Sequence, residues 1–88
     1  MSNRRFAFEC LIHVNRGRRR YSRWTKYVEH AKNPYDAYLQ LLVRYPGRFP
    51  TTIYELNDAN EYIRAFTLKD LIDRKEEIII EYDLNEET

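Results

Sequence analysis

Five arginine residues stand close together in the first third of the chain, at positions 16, 18, 19, 20 and 23. A guanidinium group is planar and always charged, and it can donate two parallel hydrogen bonds to one phosphate. Lys26 adds another cation, and Trp24 adds a ring able to stack on an unpaired base. We therefore expect a nucleic acid or a nucleoprotein complex to bind here, through Arg16, Arg18, Arg19, Arg20, Arg23, Trp24 and Lys26.

The aromatic residues of this segment should not form one stacking surface. Successive side chains of a strand point to opposite faces, which places Trp24 on one face and both Tyr21 and Tyr27 on the other. Phosphate contacts, which carry no sequence information, should therefore dominate over base recognition.

The charge distribution supports a second interpretation of the arginines. Residues 1–32 carry nine basic and two acidic side chains, a net charge of +7, whereas residues 33–88 carry six basic and twelve acidic ones, a net charge of −6. In this alternative the arginines protect an exposed sheet edge and pair with the chain's own acidic carboxyl-terminal strand. The total charge of only +1 also favours a protein partner over nucleic acid.

A protein-binding surface is the competing functional hypothesis. Ile79 interrupts a segment that otherwise alternates between apolar and polar residues, so another surface must cover it. Tyrosine combines an apolar ring with a polar hydroxyl, which suits surfaces that contact both water and a partner. We expect such an interface to use Ile79, Tyr54, Tyr62 and Tyr82. The protein would then be an interaction module or inhibitor that pairs through a sheet edge, either with a second copy of itself or with another protein. Such a small protein would also suit a phage or a mobile element.

Catalytic and metal-binding patterns are not found in the sequence. The single cysteine, Cys10, shares the apolar parity of its strand, and the two histidines, His13 and His30, have no nearby ligand partner. With only two glycines, Gly17 and Gly47, the chain has no glycine-rich phosphate loop. We expect a protein that is not an enzyme and that uses no cofactor and no metal.

The elements that must position these residues follow from periodicity. Alternating apolar residues over Phe6–Val14 predict a half-buried strand, and Gly17 supplies the turn of a hairpin whose second strand covers 21–28. A helix should begin at Asn33-Pro34 and run to about Tyr45. Its broad apolar stripe is formed by Tyr35, Tyr38, Leu39, Leu42 and Tyr45, with Ala37 and Leu41 beside them.

The second half of the chain predicts a further hairpin and two short elements. Residues 51–56 and 61–66 read as strands joined by a four-residue turn, and Thr67 and Asp70 resemble a capping box that starts a two-turn helix. Residues 78–84 are predicted as a last strand.

The predicted fold class is α+β, a small antiparallel sheet with helices packed on one face, in the order β-β-α-β-β-α-β. Eighty-eight residues correspond to one domain, with residues 1–4 and 85–88 expected to be frayed. The sequence predicts no membrane span and no disulfide, which favours a cytoplasmic location.

Overall fold

The computed structural model describes residues 3–86, together with the side chains of residues 3–84. Four antiparallel strands form one sheet in the spatial order β2-β1-β3-β4. The strands are β1 (Arg4–Arg16), β2 (Arg19–Ala31), β3 (Pro50–Leu56) and β4 (Tyr62–Thr67), and the helices are α1 (Pro34–Arg44), α2 (Leu68–Asp73) and α3 (Lys75–Glu86). The predicted α+β class and antiparallel sheet are confirmed.

The alternation of β1 places the core on one face of the sheet. Phe6, Phe8 and Cys10 are fully buried there, next to Ile53 of β3 and Phe66 of β4. All three helices contribute side chains to the same cluster, namely Ala37, Leu41, Leu71, Ile78 and Tyr82. The opposite face, called the open face below, is covered by no helix among the described residues 3–86.

Helix α1 begins as predicted, because the Asn33 side chain accepts a hydrogen bond from the backbone N–H of Asp36 and Pro34 occupies the first helical turn. Its buried face is one side of the predicted broad stripe. Ala37 and Leu41 are fully buried, Tyr35 and Tyr38 pack against the core beside them, and Leu39 is 61% exposed at the margin.

The remaining turns also follow their sequence signals. Asn57 accepts hydrogen bonds from two backbone N–H groups of its own turn, and Asn60 has a φ of 63°. At the start of α2, Thr67 and Asp70 form the predicted reciprocal capping box. The backbone N–H of Thr67 donates to the Asp70 carboxylate, and this bond lowers the pKa of that carboxyl.

The last element is a helix rather than the predicted strand. Three consecutive isoleucines suggested β-structure, but Ile78 and Tyr82 are four residues apart and both are buried, while Ile80 is 58% exposed. This spacing places one side of a helix on the core. Glu76 and Glu77 lie in the first turn, where negative charge is favourable.

Regular elements extend into the chain ends for which fraying is predicted. Arg4 is the first residue of β1, and its guanidinium donates to Glu55 at 2.9 Å. Helix α3 continues through residues 85 and 86. Residues 1, 2, 87 and 88, also expected to be frayed, lie outside the described part of the chain.

A buried polar contact fastens α3 to the sheet. The Tyr82 hydroxyl donates to the Glu55 carboxylate at 2.6 Å, and the Tyr82 ring packs against Phe6 and Phe66. Burial, followed by the neighbouring Glu55, raises the pKa of Tyr82 well above its ordinary value.

We expect this shift to make the fold sensitive to strong alkali. Above about pH 10 a tyrosine ionises in the unfolded chain while Tyr82 keeps its proton in the folded one, so unfolding releases protons and stability falls as pH rises. The Tyr82→Phe variant should lose less stability than the native chain between about pH 9 and about pH 11, as measured by urea unfolding. Equal losses in the two proteins would contradict this role of Tyr82.

Candidate nucleic-acid interface

The first hairpin extends well beyond the rest of the sheet. Strand β1 pairs with β3 only from Arg5 to Cys10, whereas its pairing with β2 continues to Arg16. Residues 11–24, called the arm below, therefore form a two-stranded ribbon, about 20 Å long at the usual rise per residue. The arm contributes to the elongated shape of the molecule, which measures 54 × 29 × 21 Å.

The tip of the arm is a two-residue turn made by Gly17 and Arg18. Gly17 has a φ of 60°, a value that glycine adopts without steric cost and that the strand twist requires in such a short turn. The hydrogen bond between His13 Nδ1 and Ser22 Oγ, 2.8 Å long, joins the two strands below the tip. The register is thus fixed and determines which arginines share a face.

The arm carries five arginines and no carboxylate. All five side chains are exposed, and none of them takes part in an ion pair or a side-chain hydrogen bond with any described residue. The ion pairs of the described part join Arg4 to Glu55, Arg44 to Glu29, Arg64 to Glu81 and Arg74 to Glu77. The predicted pairing of the arm with the acidic carboxyl-terminal segment is therefore not formed by the carboxylates up to Asp83, the last one whose side chain is described.

Distance explains why the acidic segment leaves the arm uncompensated. Helix α3 is anchored by Tyr82 against Phe6, near the start of β1. Ten residues of extended strand, about 33 Å, separate Phe6 from Arg16. This is several times the screening length of about 8 Å at physiological salt, so the carboxylates near Tyr82 have little effect on the field at the tip.

The predicted nucleic-acid residues are divided between the two faces of the hairpin. Pairing of Arg16 with Arg19 and of Ile12 with Arg23 places these three arginines on the face that carries the helices farther along the sheet. Arg20, Trp24 and Lys26 have the opposite parity and lie on the open face, while Arg18 lies in the turn. The structure therefore produces a ribbon with cations on both sides rather than a single basic patch.

The open face brings together aromatic residues that the sequence did not connect. The rings of Tyr54 and Tyr62 are stacked with centroids 4.3 Å apart, and Lys26 Nζ lies 4.6 Å from the centroid of Tyr62. Trp24, two residues before Lys26 on the same face, is 60% exposed. Two tyrosines expected at a protein interface thus share a face with three residues expected to bind nucleic acid, namely Arg20, Trp24 and Lys26.

The other two residues of the expected protein interface lie elsewhere. Tyr82 is 2% exposed and belongs to the core, because helical spacing turns it toward the sheet. Ile79 is partly buried on α3 and cannot act at a strand edge, since its segment is helical. The edges of the described sheet are β2 and β4.

The structure buries two carboxylates whose burial was not predicted from the sequence. Glu29 and Glu55 both lie beside Phe6 on the core face and are 2% and 3% exposed. The Arg44 Nε lies 3.5 Å from a Glu29 carboxylate oxygen, and Glu55 pairs with Arg4 at 2.9 Å. The only sequence signal for the burial of these two glutamates was their position parity, which matches that of the buried residues of their strands. Their pairing with arginines indicates a structural role.

Among residues 3–86, no group of three or more histidine, cysteine, aspartate or glutamate side chains comes together in a way that could hold a metal ion. The thiol of Cys10 is fully inaccessible, and burial raises its pKa, so it is a poor nucleophile. None of the helices in this part of the chain has the length and hydrophobicity needed to span a bilayer.

Comparison with known proteins adds no assignment, because no protein-family model, no curated protein and no solved structure matches this chain.

Proposed function

We propose that this protein binds nucleic acid, alone or within a nucleoprotein complex, through the arm. The observation that carries the proposal is the set of five exposed arginines that project from the domain and form no ion pair with any carboxylate of residues 3–84. An exposed guanidinium group that forms no ion pair keeps all its N–H donors available for phosphate oxygens.

The shape of the arm suits contacts with a phosphate backbone. A two-stranded ribbon is narrow, and cations on both of its faces can reach phosphates on either side of it. The first hairpin is anchored at its base by Phe6 and Phe8 in the core, which holds the arginines in position before the ligand arrives. Such contacts set affinity and orientation and do not depend on base sequence.

The proposal predicts binding that depends strongly on salt. If three to five phosphates are contacted, affinity should fall between about 50 and about 200 mM salt, because bound cations of the nucleic acid are released. The expected fall is about 20-fold to about 100-fold for a single strand and about 40-fold to about 500-fold for a duplex. Fluorescence anisotropy of labelled single-stranded and duplex oligonucleotides at several salt concentrations measures this dependence. Absence of binding to both at low salt would refute the proposal.

A protein partner is the second candidate function, favoured by exposed apolar side chains on two helices. Leu39 and Val43 of α1 are 61% and 80% exposed, and Ile80 and Leu84 of α3 are 58% and 62% exposed. Pairs spaced by four residues form stripes that a second copy or another protein could cover. A dimer seen by light scattering, together with no affinity for oligonucleotides, would favour this candidate over the arm.

A further inference from the structure

We infer that the nucleic acid bound by this protein is single-stranded and that its unpaired bases lie on the open face. The inference rests on the proposed function and specifies its ligand. Trp24 is assigned as the stacking surface, Arg20 and Lys26 as the phosphate contacts beside it, and Tyr62 as the ring that positions Lys26.

The exposure of Trp24 is the first observation. Tryptophan is usually well buried, yet Trp24 is 60% exposed at the centre of a regular strand. Its partner across the strands is Leu11, which is itself 40% exposed. Together they form an apolar surface at the base of the arm that no described helix covers.

The position of Lys26 joins Trp24 to the tyrosine pair. Residues two apart on one face of a strand are separated by about 7 Å, so Lys26 lies next to Trp24. Its Nζ reaches across the sheet to within 4.6 Å of the Tyr62 ring, which is held by stacking on Tyr54. Because one face of Tyr62 is covered by Tyr54 and Lys26 lies over the ring, a phosphate bound at Lys26 would place a neighbouring base near the exposed ring of Trp24.

The charge of the open face is suited to an anionic ligand. Glu9 is the single carboxylate that the described strands place on this face; it lies opposite Lys26 in the β1–β2 register but forms no ion pair within the described residues. Arg20 and Lys26 form no ion pair with a described carboxylate, whereas the side chain of Arg5 is occupied by Asn57 and Asn60. The free cations of the open face thus lie on β2, on either side of Trp24.

Stacking distinguishes a single strand from a duplex. In a duplex the faces of the bases are already stacked on one another, and only base edges and phosphates are accessible. In a single strand the bases can turn outward onto aromatic side chains, a mode that open sheet faces with exposed rings commonly use. The arm alone would bind either form, but the open face selects the single strand.

The chain offers a direct reporter, because Trp24 is its only tryptophan. Titration with an oligodeoxythymidylate of about 12 nucleotides should quench the Trp24 emission, and a duplex of equal length should bind more weakly and quench less. The Trp24→Leu variant should lose about 5-fold to about 100-fold in affinity for the labelled single strand, measured by anisotropy, with little loss for the duplex. Tyr21→Leu is the matched control, since Tyr21 is 45% exposed on the other face of the same strand.

The outcomes separate this inference from the proposed function. Equal affinity for single strand and duplex, with unchanged Trp24 emission and an unaffected Trp24→Leu variant, would overturn the inference and leave binding by the arm standing. Equal losses in Trp24→Leu and Tyr21→Leu would also overturn it, since the open face would then have no special role. Failure of the native chain to bind either ligand would refute both.

Discussion

Replacing Arg18, Arg19 and Arg20 together by glutamate is expected to reduce the affinity for nucleic acid by about 100-fold or more at moderate salt. The three side chains lie in and beside the turn at the tip of the arm and are fully available to a ligand. Their replacement removes three phosphate contacts and introduces three charges that repel phosphates. Anisotropy at several salt concentrations should also show a smaller salt dependence, because fewer cations are displaced.

The fold should tolerate this change, since no described residue depends on these side chains for a hydrogen bond or an ion pair. Circular dichroism and urea unfolding can confirm that the variant remains folded. The matched control replaces Lys32, Lys69 and Lys75 by glutamate, which changes the total charge equally at exposed positions away from the arm. If both triple variants lose affinity equally, binding responds to net charge alone and the arm is not the site.

The second large effect is expected at Tyr82, where Tyr82→Ala should destabilise the protein by about 3–5 kcal/mol. The ring is almost completely buried against Phe6 and Phe66, and its hydroxyl satisfies the buried Glu55. A domain of this size has a total stability on the order of 5 kcal/mol, so much of the population should unfold or lose the docking of α3. Urea unfolding followed by circular dichroism measures the loss.

Two isoleucines provide the control that tests the helical assignment of α3. A strand would place Ile78, Ile80 and Tyr82 on one face and make them equivalent. The helix instead buries Ile78 completely and leaves Ile80 58% exposed. Ile78→Ala should therefore cost about 2–5 kcal/mol and Ile80→Ala less than about 1 kcal/mol. Equal costs at the two positions would contradict the helix.

Local sequence signals were sufficient where one physical effect dominates. The alternation of Phe6, Phe8 and Cys10 identified β1 and its buried face, because a strand with one face in a core must keep that period. Glycine at the first turn and asparagine at the second marked both hairpins, since few residues accept their backbone angles. Side-chain caps marked the starts of α1 and α2 for the same local reason.

The site was only partly accessible to sequence reasoning. The arginines were found as a cluster in the sequence. The sequence did not show that β1 and β2 extend beyond the end of β3, which places these arginines on a projecting ribbon. Tyr54 and Tyr62 were chosen for their chemistry alone. These two tyrosines share a face with Trp24 and Lys26 because of the strand order, which is a property of the whole sheet.

By itself, then, the sequence determined the first six elements, their turns and the separation of charge between the two ends of the chain. Tertiary structure decided the state of residues 75–86, because an isoleucine run has no inherent preference strong enough to outweigh packing at a spacing of four. It also decided that α3 packs near the start of β1, far from the tip of the arm, since the distance between two charged segments depends on the path of the chain and not on its composition. The free arginines of the arm follow from that arrangement.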